Sequence, residues 1–510
     1  MNDVLCGLAA NPALPSSFVD RLFAVADDAL VDDLAPELAD RADLTHAQAL
    51  ALAARVPHSA VRLAYNGRLT APDIDPVTQR DAALALLDRG AGDPRWARLF
   101  AADASADCRE RLAECPGLPA DVVAVLAADP EVQVVAELAR VAGPDLVVGL
   151  ASHPHAEVRL AVAANESTPA AVLAALLTGE GLPPARWCLV CVREEVPFAH
   201  DRNCPRTDCD LRPDAACDGS HESTVHGLRQ AALLNPATPG ATAAAFADHP
   251  CSLLRRALAS RTDLPTAAYA RLATDPVPGV RADLARNPAI DEPLIRLLAD
   301  DRDHDVRRQL AQHPRVPLDV LVRLAAVTRL GDAPLPRITA ASPAEMARLA
   351  RSADPVARML AARRNDLPAA LRDALAGDAD ARVAKTVAPQ PGLTEALLRS
   401  MVDRHGSQVL AGAAANPDAP PALLAEWARQ EPPVRALREL AGHPRATAPV
   451  LLACLTDKRA RRTAAARPEL PPSALVTLLS DPDPQTARTA AANPSLPREV
   501  MAELLAELLP

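Results

Sequence analysis

The stretch Asn287-Pro-Ala-Ile-Asp-Glu-Pro-Leu294-Ile-Arg-Leu-Leu298-Ala-Asp-Asp301-Arg-Asp-His-Asp305-Val306-Arg307-Arg-Gln-Leu310-Ala311-Gln-His313-Pro314 decides the fold. It holds two apolar stripes of helical spacing, one through Leu294, Ile295, Leu297 and Leu298 and one through Val306 and Leu310, separated by an Asp-rich turn. The preceding unit has the same grammar: Leu264-Pro265, a helix around Tyr269 to Ala273, a turn at Asp275-Pro276, then Val280-Arg281 and Leu284-Ala285. A repeat of about 26 residues, each with two short helices, predicts an all-α solenoid whose units bury their apolar stripes only against neighbours. We read about eighteen such units, winding as a right-handed superhelix.

Each unit begins at an anchor just before a turn. Anchors fall at Asn11, Arg41, Asn66, Cys115, Arg140, Asn165, Asn235, Arg261, Asn287, His313, Asn365, Gln390, Asn416, His443, Arg467 and Asn493, with weaker units near Gly92 and Thr339. The anchor is expected to end the second helix, where Asn tolerates left-handed geometry, and not to hold a peptide in a groove. The second helix, from about Val280 to Arg286, must stop before Pro288 and is short enough to be partly 3₁₀. Asp275 and Arg281 are expected to form a structural ladder in which Arg bridges its own and the neighbouring turn. Lone histidines such as His58, His304 and His405 read as surface or turn residues.

Composition agrees. Apolar residues make up 49% and aromatics 2%, a core of Ala, Leu and Val suited to thin helical layers. The 50 prolines follow the repeat and punctuate helices. Lys385 and Lys458 are the only lysines, which suggests GC-rich coding and a bacterial source. Net charge is −11, which argues against nucleic acid as a partner. No signal peptide is evident and no run of eighteen apolar residues occurs, so a cytoplasmic protein without a membrane span is expected.

The repeat grammar, Asn-Pro-x-Leu-Pro, a Leu/Ala-rich helix, Asp-Pro-Asp, Val-Arg and Leu-Ala, resembles the leucine-rich repeat variant family, an α-helical relative of HEAT and armadillo solenoids. Clear copies are Asn287 to Ala311 and Asn493 to Glu499, the latter preceded by Asp481-Pro482-Asp483. The resemblance covers most of the chain and implies the fold. Family members that hold an iron–sulfur cluster carry it in an N-terminal module; in this chain the cysteines lie mid-chain.

That cysteine cluster interrupts one unit. Residues 1–177 read as N-terminal repeats, 178–224 as an insertion between the two helices of a single repeat, and 225–510 as C-terminal repeats. The insertion is polar and lacks an apolar stripe, so a metal would have to supply its folding energy. Cys188-x2-Cys191 and Cys217-x3-His221 have the spacing of two ligand pairs closing a tetrahedron, with Cys204 and Cys209 in reserve. Zinc is the first choice. An iron–sulfur cluster stays open, because Cys217-Asp218-Gly219-Ser220-His221 resembles the CDGSH motif, though Cys204-x4-Cys209 departs from its upstream pattern. Trp187 and Phe198 could shield the site or simply pack. The remaining cysteines, Cys6, Cys108, Cys115, Cys251 and Cys454, are scattered and suggest no disulfide framework.

No phosphate loop, metalloprotease helix or nucleophile elbow is present, and the recurrent carboxylates follow the repeat. The expected function is therefore a non-enzymatic, cytoplasmic scaffold that binds protein or peptide partners. The alternatives are a redox or sensing iron–sulfur protein and, less favoured, a HEAT-like DNA binder. The last unit stops after one helix, with Leu504, Leu505, Leu508 and Leu509 in a stripe. We expect either an open edge for self-association or partner docking, or a helix folded inward as a cap.

Overall fold

In several turns two aspartates separated by one residue do different work. Asp303 caps the helix His304–Leu310, its carboxylate accepting from the amides of Asp305 and Val306. Asp301 faces the preceding repeat and takes Arg281. The same division recurs at Asp378 and Asp380. First helices start differently. Pro293 and Pro343 lie inside the first turn of their helices, whereas Pro265 and Pro317 sit one step earlier at the cap position, with the extended backbone that leads into a first turn.

The chain is described by a computed structural model that covers residues 2–23, 25, 27–188, 222–331 and 333–508. Among these it contains 35 α-helices, mostly of seven to ten residues, and no strand. The fold is an α-solenoid of short helix pairs. Second helices stack on second helices, as Pro278–Ala285 does between Ser252–Ala259 and His304–Leu310, and first helices stack likewise. Second helices are α-helical, not 3₁₀. Such helices are marginal alone; Ile295, Leu298, Val306 and Leu310 are all but fully buried, each contributing roughly 2 kcal/mol by burial.

Contacts divide the chain into two compact units, Leu86–Ala340 and a second formed by Met1–Ala85 with Ala341–Pro510. Ala340 follows the four-residue helix Pro336–Thr339, where the repeat is weakest in sequence.

The anchors end the second helices as expected, Asn165 and His443 standing at the cap position, but they do more than that. None adopts left-handed geometry. Instead the buried Asn, Gln, His and Arg anchors reach back to the preceding repeat, whereas the Cys115 thiol donates to the Arg111 carbonyl of its own helix. Asn287 donates to the carbonyls of Ala259 (2.7 Å) and Arg261 (2.5 Å), while its own Oδ1 accepts from the Ala289 amide. Asn416 treats Ala388 and Gln390 the same way, and Asn493 treats Ala465 and Arg467. Arginine does this with more reach: Arg261 donates to the carbonyls of Leu233, Asn235 and Thr238. Two anchors are displaced from their sequence assignments. Arg364, not Asn365, reaches the preceding repeat, at Ala341. Arg140 pairs with Glu137 on its own helix, and Ala142 occupies the anchor position, its carbonyl taken by Asn165.

The second unit joins the two ends of the chain. Asn11 donates to the carbonyls of Ala491 and Asn493, both at 2.8 Å, and accepts from Ala13. The first repeat thus takes the position of a repeat after the last. Helix Asn2–Ala10 packs on Pro484–Ala491, so close that a Cβ at Gly7 would strike the Arg488 carbonyl. Arg488 pairs with Glu37. Of the two outcomes expected for this end, the open edge is not realised: the chain's own first repeat covers the last, and Leu505 is fully buried.

Histidine serves as anchor twice. In His313, Nε2 lies 2.9 Å from the Asn287 carbonyl and Nδ1 accepts from the Arg315 amide; His443 repeats this with Asn416 and Arg445. The pattern requires a neutral ring. Burial pushes both imidazoles below their ordinary value of 6.5, against the smaller opposing effect of the carbonyl. A lowered folded-state pKa means the unfolded chain binds more protons, so stability is full above about pH 6.5 and falls as pH drops below it. The expected result is a melting temperature that declines below pH 6.5 in the wild type and declines less in a His313→Asn, His443→Asn double variant. Equal slopes would refute this.

Candidate metal centre and groove

The insertion leaves the solenoid after helix Ala170–Thr178, which ends on a left-handed Gly179 at φ 79°. Its entry strand is held to the turn before helix Ala156–Ala164. The Arg186 amide donates to the Pro154 carbonyl (2.8 Å), the Ala156 amide donates to the Trp187 carbonyl (2.9 Å), and His155 and Trp187 form a parallel bridge. The chain returns in helix Glu222–Leu234, where the Thr224 hydroxyl donates to Glu157 at 3.1 Å. Entry and exit are thus fixed to one turn, residues 154–157.

Cys188 lies at this root and is fully buried. Trp187 is about half exposed. Cys191, Cys204, Cys209, Cys217, His221 and Phe198 lie outside the described residues, so the spacing remains the argument for their joint role. Sequence reasoning missed two further groups at the root. His155 is buried, with Nδ1 2.7 Å from Glu157 Oε2. Arg159 is buried in the ladder position but has lost the carboxylate of its counterparts. It donates to the carbonyls of His153 (2.6 Å) and Pro183 (2.7 Å), and burial pulls its pKa down. The signal was present in the sequence: Arg159 stands six residues before anchor Asn165, as Arg281 stands before Asn287, but no Asp turn follows it.

Elsewhere the ladder forms as expected. Arg281 Nε and Nη2 hold Asp301 at 2.6 and 2.9 Å, and Nη1 donates to the carbonyl of Asp275 in its own turn. Arg109 with Asp129, Arg255 with Asp275, and Arg358 with Asp378 are equivalent. Burial raises the Asp301 carboxyl, but Arg281 and the Asp303 amide outweigh it and hold the group below the usual carboxylate range. Anchors and ladders are consumed in stacking, which removes them as ligand-binding groups.

Of the lone histidines, His58 and His304 are exposed, while His405 lies 3.1 Å from the Asp378 carbonyl and links repeats. Among the described residues, Asp303, His304 and Asp305 are the one group whose donor atoms converge closely enough for a metal. Asp303 is a helix cap and Asp305 pairs with Arg308, which accounts for the cluster without an ion. The six described cysteines are buried and none is in a disulfide; burial pushes the Cys115 and Cys454 thiols up to about 12. An open apolar groove of about 710 Å³ lies between the turns Cys115–Leu118 and Ala142–Asp145. It opens where the anchor is Ala142, whose methyl cannot bridge to the preceding repeat. No described helix is long and apolar enough to cross a membrane.

No family model matches the sequence, and no curated protein is similar to it. Among solved structures, an engineered protein from the Northeast Structural Genomics Consortium aligns with 85% of this chain and 98% of its own at 14% identity. Its TM-score is 0.15, too low to support any argument about this fold.

Proposed function

We propose that this chain is a non-enzymatic, cytoplasmic protein-interaction scaffold related to the leucine-rich repeat variant solenoids, with a structural metal site in the insertion. One observation carries the scaffold reading. The recurrent polar residues that resemble catalytic groups, the anchors and the Asp–Arg pairs, are buried and used between repeats. What a stack leaves for function is its extended helix surface, which suits a protein or peptide partner. Affinity purification of the intact chain from its native host, with metal analysis of the same preparation, tests this; a chain that captures nothing specific would refute it.

The metal reading assigns Cys188, Cys191, Cys217 and His221 as ligands, with Cys204 and Cys209 in reserve. Zinc would close a tetrahedron of thiolates and imidazole and hold an insertion without its own core. The root supports an anionic centre: Cys188 is buried beside a turn that holds Arg159, a buried cation without a carboxylate. The same feature suits an iron–sulfur cluster, the second reading, in which the solenoid docks a redox or sensing partner. Anaerobic purification separates them, a brown preparation indicating iron–sulfur and a colourless one zinc. Cys188→Ser or Cys217→Ser is expected to abolish stoichiometric metal and expose the insertion to protease while most helical circular dichroism survives. Metal retained in a variant lacking Cys188, Cys191, Cys217 and His221 would transfer the assignment to Cys204 and Cys209.

A further inference from the structure

In the unit formed by the two chain ends, exposed cations gather on a run of second helices. The exposed faces of the second helices Ala381–Val387, Val434–Gly442 and Lys458–Ala465 carry Lys385, Arg435, Arg438, Lys458, Arg459 and Arg462. Both lysines of the chain are there, in a protein of net charge −11. The cations are densest where helix Lys458–Ala465 borders Pro484–Ala491. Lys458, Arg459 and Arg462 line an open groove of about 660 Å³, faced by Gln485 and Thr489. Asp483 is the acid lining it, and its carboxylate already accepts from the Thr486 hydroxyl. Asp457, at the head of the same helix, accepts the amides of Arg459 and Ala460. Among the described residues no ion pair engages Lys458, Arg459 or Arg462, whereas Arg461 of the same helix is spent on Asp481 in the ladder.

We propose that this groove binds an acidic peptide segment of a partner protein, with Lys458, Arg459 and Arg462 taking its carboxylates. This rests on the scaffold reading and names the chemistry of its partner. Guanidinium groups pair with carboxylates through two parallel hydrogen bonds; the Gln485 side-chain amide, whose oxygen takes Arg462 at 3.4 Å, offers its NH₂ to a peptide carbonyl, and the Thr489 hydroxyl, which donates to the Gln485 carbonyl, can still accept. Two features favour an acidic peptide over nucleic acid. The groove has no aromatic side chain on which a base could stack. The basic patch is also bounded: beyond Pro484–Ala491 the stack continues through Asn2–Ala10 to Asp28–Ala39, whose Asp32 and Asp33 would repel a long polyanion, Asp28 and Glu37 being paired with Arg55 and Arg488. A short acidic segment fits the patch; a duplex would overrun it.

The test uses the full chain and fluorescence anisotropy of labelled peptides, one alternating Glu and Ser and one alternating Gln and Ser, beside a labelled DNA duplex. The acidic peptide is expected to bind, to weaken with added salt, and to lose about tenfold or more in affinity in an Arg459→Glu, Arg462→Glu variant. Arg429→Glu, on the first helix Pro421–Arg429 of the same unit, is expected to leave binding unchanged. Melting curves of both variants should match wild type. Absence of binding, tighter binding of the duplex, or equal losses in both variants would overturn the proposal. Host partners that the double variant still captures would overturn the groove and leave the scaffold standing, whereas an intact chain that captures none would overturn the scaffold itself.

Discussion

Asn11→Ala is expected to destabilise the far end of the chain. The substitution removes the two hydrogen bonds donated to Ala491 and Asn493, leaves the Asn493 carbonyl with the Leu496 amide, strands the Ala491 carbonyl, and leaves the Ala13 amide without its acceptor. Unsatisfied buried groups of this kind cost about 1–3 kcal/mol each, so a loss of at least about 2 kcal/mol is expected. Hydrogen exchange locates the effect: the amides of Pro484–Ala491 and Arg498–Leu508 should lose protection although they lie more than 470 residues from the substitution. Gly7→Ala should act on the same contact by another route, since its methyl meets the Arg488 carbonyl and must push two helices apart. Asn416→Ala, in the middle of the stack, serves as the comparison and should loosen only its own neighbourhood. If Asn11→Ala leaves the last helices as protected as in wild type, the two ends are not joined in solution.

Asp275→Ala should cost still more. Asp275 is almost fully buried and receives Arg255 at 2.6 and 3.1 Å. Its removal leaves a buried guanidinium without the carboxylate that takes both Nε and Nη2. Breaking a buried pair from one side costs about 3–5 kcal/mol. The double variant Arg255→Met, Asp275→Leu should recover much of that, because the largest part of the loss is the uncompensated charge and not the missing attraction. Asp121→Ala removes a pair of similar geometry with Arg98, but both side chains are more than half exposed, and its melting curve should overlay wild type. Urea denaturation of the three variants beside wild type checks the order. A double variant less stable than Asp275→Ala would show that the pair is worth more than the charge it hides.

Much of this was legible in the chain. Repetition of Leu-Pro, Asp-x-Asp and Val-Arg at a fixed spacing specified two short helices per unit, because each local choice is stated many times over. The Arg281 ladder was readable for the same reason: a buried cation needs a partner, and the next turn supplies one at constant register. The anchors were located but misread. Periodicity shows that Asn, His and Arg interchange, yet only the packed structure shows what they share, the reach to carbonyls of the previous repeat. Arg140 and Asn365 were misplaced because a shift of one or two residues moves the register without disturbing the helical pattern.

The sequence by itself determined that the chain is a stack of helix pairs with a cysteine-rich insertion in one repeat, since these follow from local patterns. Only the tertiary structure decided that the first repeat lies against the last, that the insertion's entry and exit share one turn, and that cations gather on one face of the second helices. Each of these depends on residues far apart in the chain meeting in space. A nearest-neighbour pattern has no term for such a meeting: the surface that ends the last repeat looks the same in sequence whether solvent, another molecule or Asn2–Ala10 covers it.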